Sequence, residues 1–344
     1  MADIKMKKQT VRIVIVSILI ILAGGGITGW IMNRLGLMSL SDWNEPSLPM
    51  PIISTRGHFR NGKLTREHGV YDYETIGKIP GYHAGTRSPD DLLIIVHGFN
   101  NYPQEASNSC GRAQRSLQLN GFDAALVGYS WDANTQLDPM AMVGFHEGRI
   151  QATMNGPKLA RFIVDYKAKC PTARIHVLGY SLGVRTILEC LRVLDENPAF
   201  RDLPVMIDSI HMVGASVDNE EVQTNHLYGK AIENRVGTFY NYYSREDNVL
   251  GWLYLMKEGD RALGETDIEN RNFAPSNYVS VDAHNELVSL DQSGQVSKGP
   301  KGDNHMGCLG LLDENGNVID DGVMNLVAEN ILGMNGSQEE DGNP

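Results

Sequence analysis

The residues best suited to chemistry lie in Gly179-Tyr-Ser-Leu-Gly183, set between the apolar run Arg174-Ile-His-Val-Leu178 and the amphipathic stretch Val184-Arg-Thr-Ile-Leu-Glu-Cys-Leu191. A serine hydroxyl is a poor nucleophile until a base takes its proton, so it must stand exposed on a tight turn where an imidazole can reach it. A strand that turns sharply into a helix provides that exposure. The turn brings strand and helix into close approach, and Gly179 and Gly183 leave room where a Cβ would obstruct. The chemistry this predicts at Ser181 is nucleophilic acyl transfer. By itself the pentapeptide is a weak signal, because Gly occupies 36 of 344 positions and chance alone gives about 0.2 matches in a chain this long.

The context strengthens it. Asp91-Leu-Leu-Ile-Ile-Val96 is a continuous apolar run, suited to a parallel strand buried on both faces, and it ends in His97-Gly-Phe-Asn-Asn101. VHGFNNYPQEA, then GYSWDA with Ser130-Trp131, then LGYSLGVRTILECL resemble the α/β-hydrolase superfamily, and within it a branch with a VHGYNN-type loop. The likeness spans about residues 91 to 310. Many members have His before the nucleophile where this chain has Tyr180. That position is free in the motif, so the departure bears on the pocket wall and not on the nucleophile. The resemblance implies an oxyanion hole formed by the backbone amides of Phe99 and Leu182. His97 lies too early in the chain for the base of this fold and reads as a residue that shapes the loop.

The resemblance also implies triad order: serine, then acid, then histidine. Asp247, in Tyr243-Ser-Arg-Glu-Asp247 after an apolar strand, matches the acid loop of these proteins. Asp218, one strand earlier, is the reserve, and Glu246 is adjacent but expected to point elsewhere. Of the ten histidines, six precede Ser181; His211 lies within an apolar strand and His226 precedes the acid. His305, in the polar loop Gly302-Asp-Asn-His-Met-Gly-Cys308, is the favoured base, with His284 as the alternative. The apolar segment Val249–Met256 reads equally as an acyl pocket or lid and as a core-packing helix.

Elements must position these groups. Strands are expected near 92–97, 124–129, 174–179, 208–214, 237–243 and 278–283. Helices are expected near 103–119, 148–169, 182–194 and 321–332. Alternation of this kind predicts a mostly parallel sheet with helices on both faces and reactive groups at the carboxyl ends of the strands. Residues 52–332 form the expected hydrolase domain, with antiparallel pieces near Val70–Tyr73 at its start.

Ahead of that domain, Ile13–Met32 contains no charged residue over twenty positions, enough to cross a bilayer's hydrocarbon core. Lys5, Lys7, Lys8 and Arg12 precede it and only Arg34 follows closely, which predicts a cytoplasmic tip and an uncleaved anchor over residues 1–34, with the rest outside. No small-residue cleavage site follows the apolar run, which argues against a removable signal. A linker is expected at 35–51 and a disordered tail at 333–344. Partners are then the membrane and a small-molecule or lipid ester. The formal charge of −12 excludes a nucleic-acid footprint.

The four cysteines, 110, 170, 190 and 308, could pair in an exported protein, although Cys190 falls among apolar neighbours as a buried thiol would. No cofactor is called for, and no C-x-x-C or H-E-x-x-H spacing signals a metal. Two functions fit this sequence: a membrane-anchored serine hydrolase of the esterase or lipase type, with thioester, amide and peptide bonds open to the same triad, or a catalytically silent binding module on the same fold.

Overall fold

The computed structural model describes residues 50–333, apart from 61, 134–141, 205, 291–295, 299–303 and 314. The expected anchor, nearly all of the linker and all of the expected tail but Gly333 lie outside the described residues. Among the described residues no helix is long and apolar enough to cross a membrane.

An eight-stranded sheet forms the frame: β1 (Ile52–Ser54), β2 (Glu74–Ile76), β3 (Asp91–Val96), β4 (Ala125–Ser130), β5 (Arg174–Tyr180), β6 (Ile207–Val213), β7 (Val236–Tyr243) and β8 (Tyr278–Asp282), in the spatial order β8-β7-β6-β5-β3-β4-β1-β2. Every neighbouring pair is parallel except β1 with β2. The helices that connect or cover these strands include α1 (Pro103–Leu119), α2 (Met142–Lys169), α3 (Gly183–Glu196), α4 (Gly229–Arg235) and α5 (Met324–Leu332). The apolar runs of β3 and β5 are central, where both faces are covered, so nearly every residue of each is buried. Two apolar cores, one on each face, enclose the sheet.

The start of the domain differs from expectation. Val70–Tyr73 is not a strand; the edge is made by Ile52–Ser54, which runs parallel to β4, and by Glu74–Ile76, which turns back antiparallel. Strands of three residues carry too few alternations to stand out from loop sequence. Helix α2 also begins earlier than expected and runs through Pro157, held by its packing against α3 where propensity alone would stop it.

Inside the sheet a polar chain crosses four strands, β3, β5, β6 and β7. His176 joins Asp91 (3.1 Å) and Ser209 (2.7 Å), Ser209 meets His211 (2.7 Å), and His211 meets the Tyr242 hydroxyl (2.9 Å). Burial holds both imidazoles below their usual pKa, so they act as neutral links between strands. All four cysteines are buried thiols, and no disulfide joins them among the described residues.

Candidate active site

Ser181 follows β5 directly and takes the left-handed backbone angle φ 54°, a conformation costly for a residue with a side chain and held here by its surroundings. Its amide donates to Val213 O at the end of β6 (3.0 Å). The flanking glycines are sterically required. A Cβ on Gly179 would stand 2.6 Å from Ile187 Cδ1, and one on Gly183 would stand 2.5 Å from His97 O and 2.6 Å from Val96 O. The serine is therefore pinned between β5, α3 and the end of β3.

Three groups predicted from widely separated segments converge. His305 Nε2 lies 3.0 Å from Ser181 Oγ, and His305 Nδ1 lies 2.6 Å from Asp247 Oδ2. All three residues are buried, Ser181 being 9% exposed and Asp247 2%. The acidic partner fixes the tautomer: the Nδ1 proton donates to the carboxylate, which leaves the Nε2 lone pair facing the serine hydroxyl. The other oxygen of Asp247 accepts from the amides of Val249 (3.1 Å) and Leu250 (3.0 Å). His305 rides on a single helical turn, Asn304–Gly307. Its ring packs against Tyr180, centroids 5.1 Å apart, and the Tyr180 hydroxyl donates to His305 O (3.2 Å). The departure at position 180 thus becomes a wall behind the imidazole.

Three contributors escaped the sequence reading. Asn304, fully buried, accepts from the Asn248 amide (3.2 Å) and donates to Glu246 O, joining the turns on either side of the acid to the residue before the base. Ser216 Oγ lies 3.2 Å from Ser181 Oγ. Gly214, at the end of β6, has φ 56°, and a Cβ there would stand 2.9 Å from His305 Cε1. Residue type gives no signal for any of these; only the fold brings them to the site.

The loop after β3 approaches the elbow at Gly98, where a Cβ would stand 2.8 Å from Ser181 Cβ. Neither the Phe99 nor the Leu182 amide has a hydrogen-bond acceptor among the described residues. His97 holds this loop. Its Nδ1 donates to Gly98 O (2.9 Å), its Nε2 accepts from the Trp131 amide (3.1 Å), and the Trp131 indole donates to His97 O (2.9 Å). The two rings stack 5.5 Å apart. Burial, reinforced by the Arg56 charge, lowers the His97 pKa to about 3, so the ring is neutral. Asn101 completes the brace by donating to Phe99 O (2.8 Å).

The alternative candidates stand elsewhere. His284, with its side chain 47% exposed, faces Glu246 at 3.7 Å. Asp218 accepts from the Tyr254 hydroxyl (2.6 Å). The segment beside the acid forms a π-helix, Val249–Tyr254, with Leu250 and Tyr254 buried and Trp252 42% exposed. Tyr254 meets Phe145 edge-on, and Phe145 meets Phe99, so one side of the segment packs into the core beside the loop after β3.

Residues 82–297 match a family model described as "Alpha/beta hydrolase of unknown function (DUF900)". The chain belongs to this family. The match contains Ser181 and Asp247 and stops short of His305. Among solved structures, a cutinase-like protein from Cryptococcus sp. shares 13% identity at a TM-score of 0.34, covering 71% of this chain and 94% of its own. The catalytic core domain of an acetyl xylan esterase from Trichoderma reesei shares 11% identity at a TM-score of 0.33, covering 64% of this chain and 91% of its own. Neither likeness is close enough to carry information about a substrate. No curated protein sequence matches the chain.

Proposed function

We propose that this α/β-hydrolase family member is a membrane-anchored serine hydrolase that cleaves carboxylic esters through an acyl-enzyme. The observation that carries the reading is the continuous chain from Ser181 Oγ through His305 to Asp247, at 3.0 and 2.6 Å. In this mechanism His305 Nε2 takes the hydroxyl proton as Ser181 Oγ attacks the acyl carbon, and Asp247 stabilises the imidazolium that forms. The developing oxyanion accepts hydrogen bonds from the Phe99 and Leu182 amides. Collapse of the tetrahedral species breaks the acyl–oxygen bond, and His305 returns the proton to the departing alcohol. Water then repeats the sequence and releases the acid. Neither step needs a cofactor.

The charge asymmetry around Ile13–Met32 supports an anchor with the hydrolase domain outside the cytoplasm. A fluorophosphonate probe tests the chemistry: the full-length protein should label and Ser181→Ala should not. Folded protein that resists labelling, or labelling that persists in Ser181→Ala, would refute the assignment. Activated esters of graded acyl length, set beside the matching thioesters, then give the bond class.

A further inference from the structure

We propose that His58, His68 and Glu74 form a binding site for a divalent transition-metal cation of the Zn²⁺ class, separate from the Ser181 centre. The three residues come from three segments that the edge of the sheet brings together. His58 lies on the turn after β1, where its amide donates to Thr55 O (3.2 Å). His68 lies on the loop that follows the ribbon Phe59–Arg60/Lys63–Leu64. Glu74 opens β2, opposite Ser54 in the register. One ligand atom from each lies within 4.8 Å of the other two, and His58 Nε2 is 3.9 Å from Glu74 Oε1.

The second observation is the state of His58. Its side chain is fully buried, yet neither ring nitrogen has a hydrogen-bond partner among the described residues. A buried polar ring left unpaired costs free energy, and such groups are rare in native folds unless something satisfies them. An imidazole binds a metal through a ring-nitrogen lone pair, and no hydrogen bond competes for either nitrogen of His58. His68 is prepared in another way. Its Nδ1 pairs with the Thr65 hydroxyl (2.8 Å), and with Nδ1 as the donor its Nε2 carries the free lone pair. A ligating histidine is commonly oriented by such a bond from its other nitrogen. Glu74, whose side chain is 62% exposed, supplies a carboxylate open to solvent, so water can complete the coordination.

Two imidazoles and one carboxylate form a borderline donor set suited to Zn²⁺ and its first-row neighbours, with bonds of about 2.0–2.2 Å. The His58 and His68 rings now stack, centroids 3.8 Å apart and 17° from parallel. The ion would bind at their shared edge, with the His68 ring tilting outward on its loop to bring its lone pair into line. The nearby Lys158 ammonium donates to the carbonyls of Gly69 (2.7 Å) and Asp72 (3.0 Å). No familiar metal motif marks the site in the sequence, because the ligands are spaced by nine and five intervening residues. A bound ion would tie the short β1–β2 edge to the loop between its strands.

The test uses chelator-stripped full-length protein titrated with Zn²⁺ against a chromogenic competitor, with thermal unfolding measured in parallel. His68→Ala and Glu74→Gln alter exposed or partly exposed side chains, and circular dichroism of the stripped variants verifies their fold. The site predicts one equivalent of Zn²⁺ per chain, at least ten-fold weaker binding in each variant, and a metal-dependent rise in Tm of several degrees that both variants lose. Binding and Tm shifts that are the same in wild type and both variants would overturn the proposal, as would the absence of stoichiometric binding to the wild type. Because the readouts are metal affinity and Tm, they are independent of whether Ser181 is a nucleophile.

Discussion

Replacing His97 by Asn should change how stability responds to acid, in a way that isolates the brace under the loop after β3. In the fold the His97 pKa is lowered to about 3, burial being the main cause, whereas in the unfolded chain it sits at the reference value of ~6.5. The unfolded chain therefore takes up a proton that the fold refuses. The contribution is fully present above about pH 6.5 and is lost progressively as pH falls toward 3. Linkage for this one residue makes the fold ~2.7 kcal/mol less stable at about pH 4.5 than at pH 8. In His97→Asn the side-chain amide can still donate to Gly98 O, but the Trp131 amide loses its acceptor, which costs ~1–3 kcal/mol at pH 8. The variant has no titrating ring. Its deficit relative to wild type should therefore shrink by ~2.7 kcal/mol on going from pH 8 to about pH 4.5. Urea titrations of both proteins across that range provide the measurement. The other buried histidines act equally in both and cancel in the difference. Parallel stability curves for the two proteins would refute the argument.

Three further outcomes are expected. His305→Ala should lower kcat on an activated ester by ~10³-fold or more, and Asp247→Asn should also be severe; His284→Ala should leave kcat nearly unchanged, and the opposite ranking would reassign the base. Asn304→Ala removes two partly buried hydrogen bonds that join the Asp247 turn to the segment carrying His305, each worth ~1 kcal/mol, so Tm and kcat should both fall while KM moves little; an unchanged kcat would deny Asn304 a positioning role. Protease added to intact cells should digest the hydrolase domain, and full protection until the membrane is permeabilised would overturn the proposed topology.

The central strands were legible in the sequence because the apolar runs of β3 and β5 are long and buried on both faces, which leaves little else for them to be. The elbow was legible because its glycines answer a steric demand from β3 and α3 that the motif itself encodes. Chain order left His284 and His305, and fold analogy with the polar, Gly-rich loop around His305 favoured it; its place beside Ser181 depends on a single turn that no periodicity announces. The three-residue edge strands were missed, since so short a stretch has no alternation to read. Asn304, Ser216 and the His58 cluster were invisible for a shared reason: their partners lie far away in sequence, and an Asn, a Ser or a His looks the same in a loop as in a site.

The position of Gly214 makes the strand between Ser181 and Asp247 part of the geometry of the proposed triad. Ser181 follows β5 and Asp247 follows β7, so the line from hydroxyl to carboxylate must pass over the end of β6. Strands stand about 4.8 Å apart, and the imidazole fills the gap left by the one that is skipped. A Cβ on Gly214 would occupy part of that gap, 2.9 Å from His305 Cε1 and 3.6 Å from Asp247 Oδ2. The sheet thus acts as a ruler with one graduation filed flat. Even alanine at this position would displace the ring while leaving serine, histidine and aspartate all in place, so a chain can keep all three residues and still lose the alignment between them.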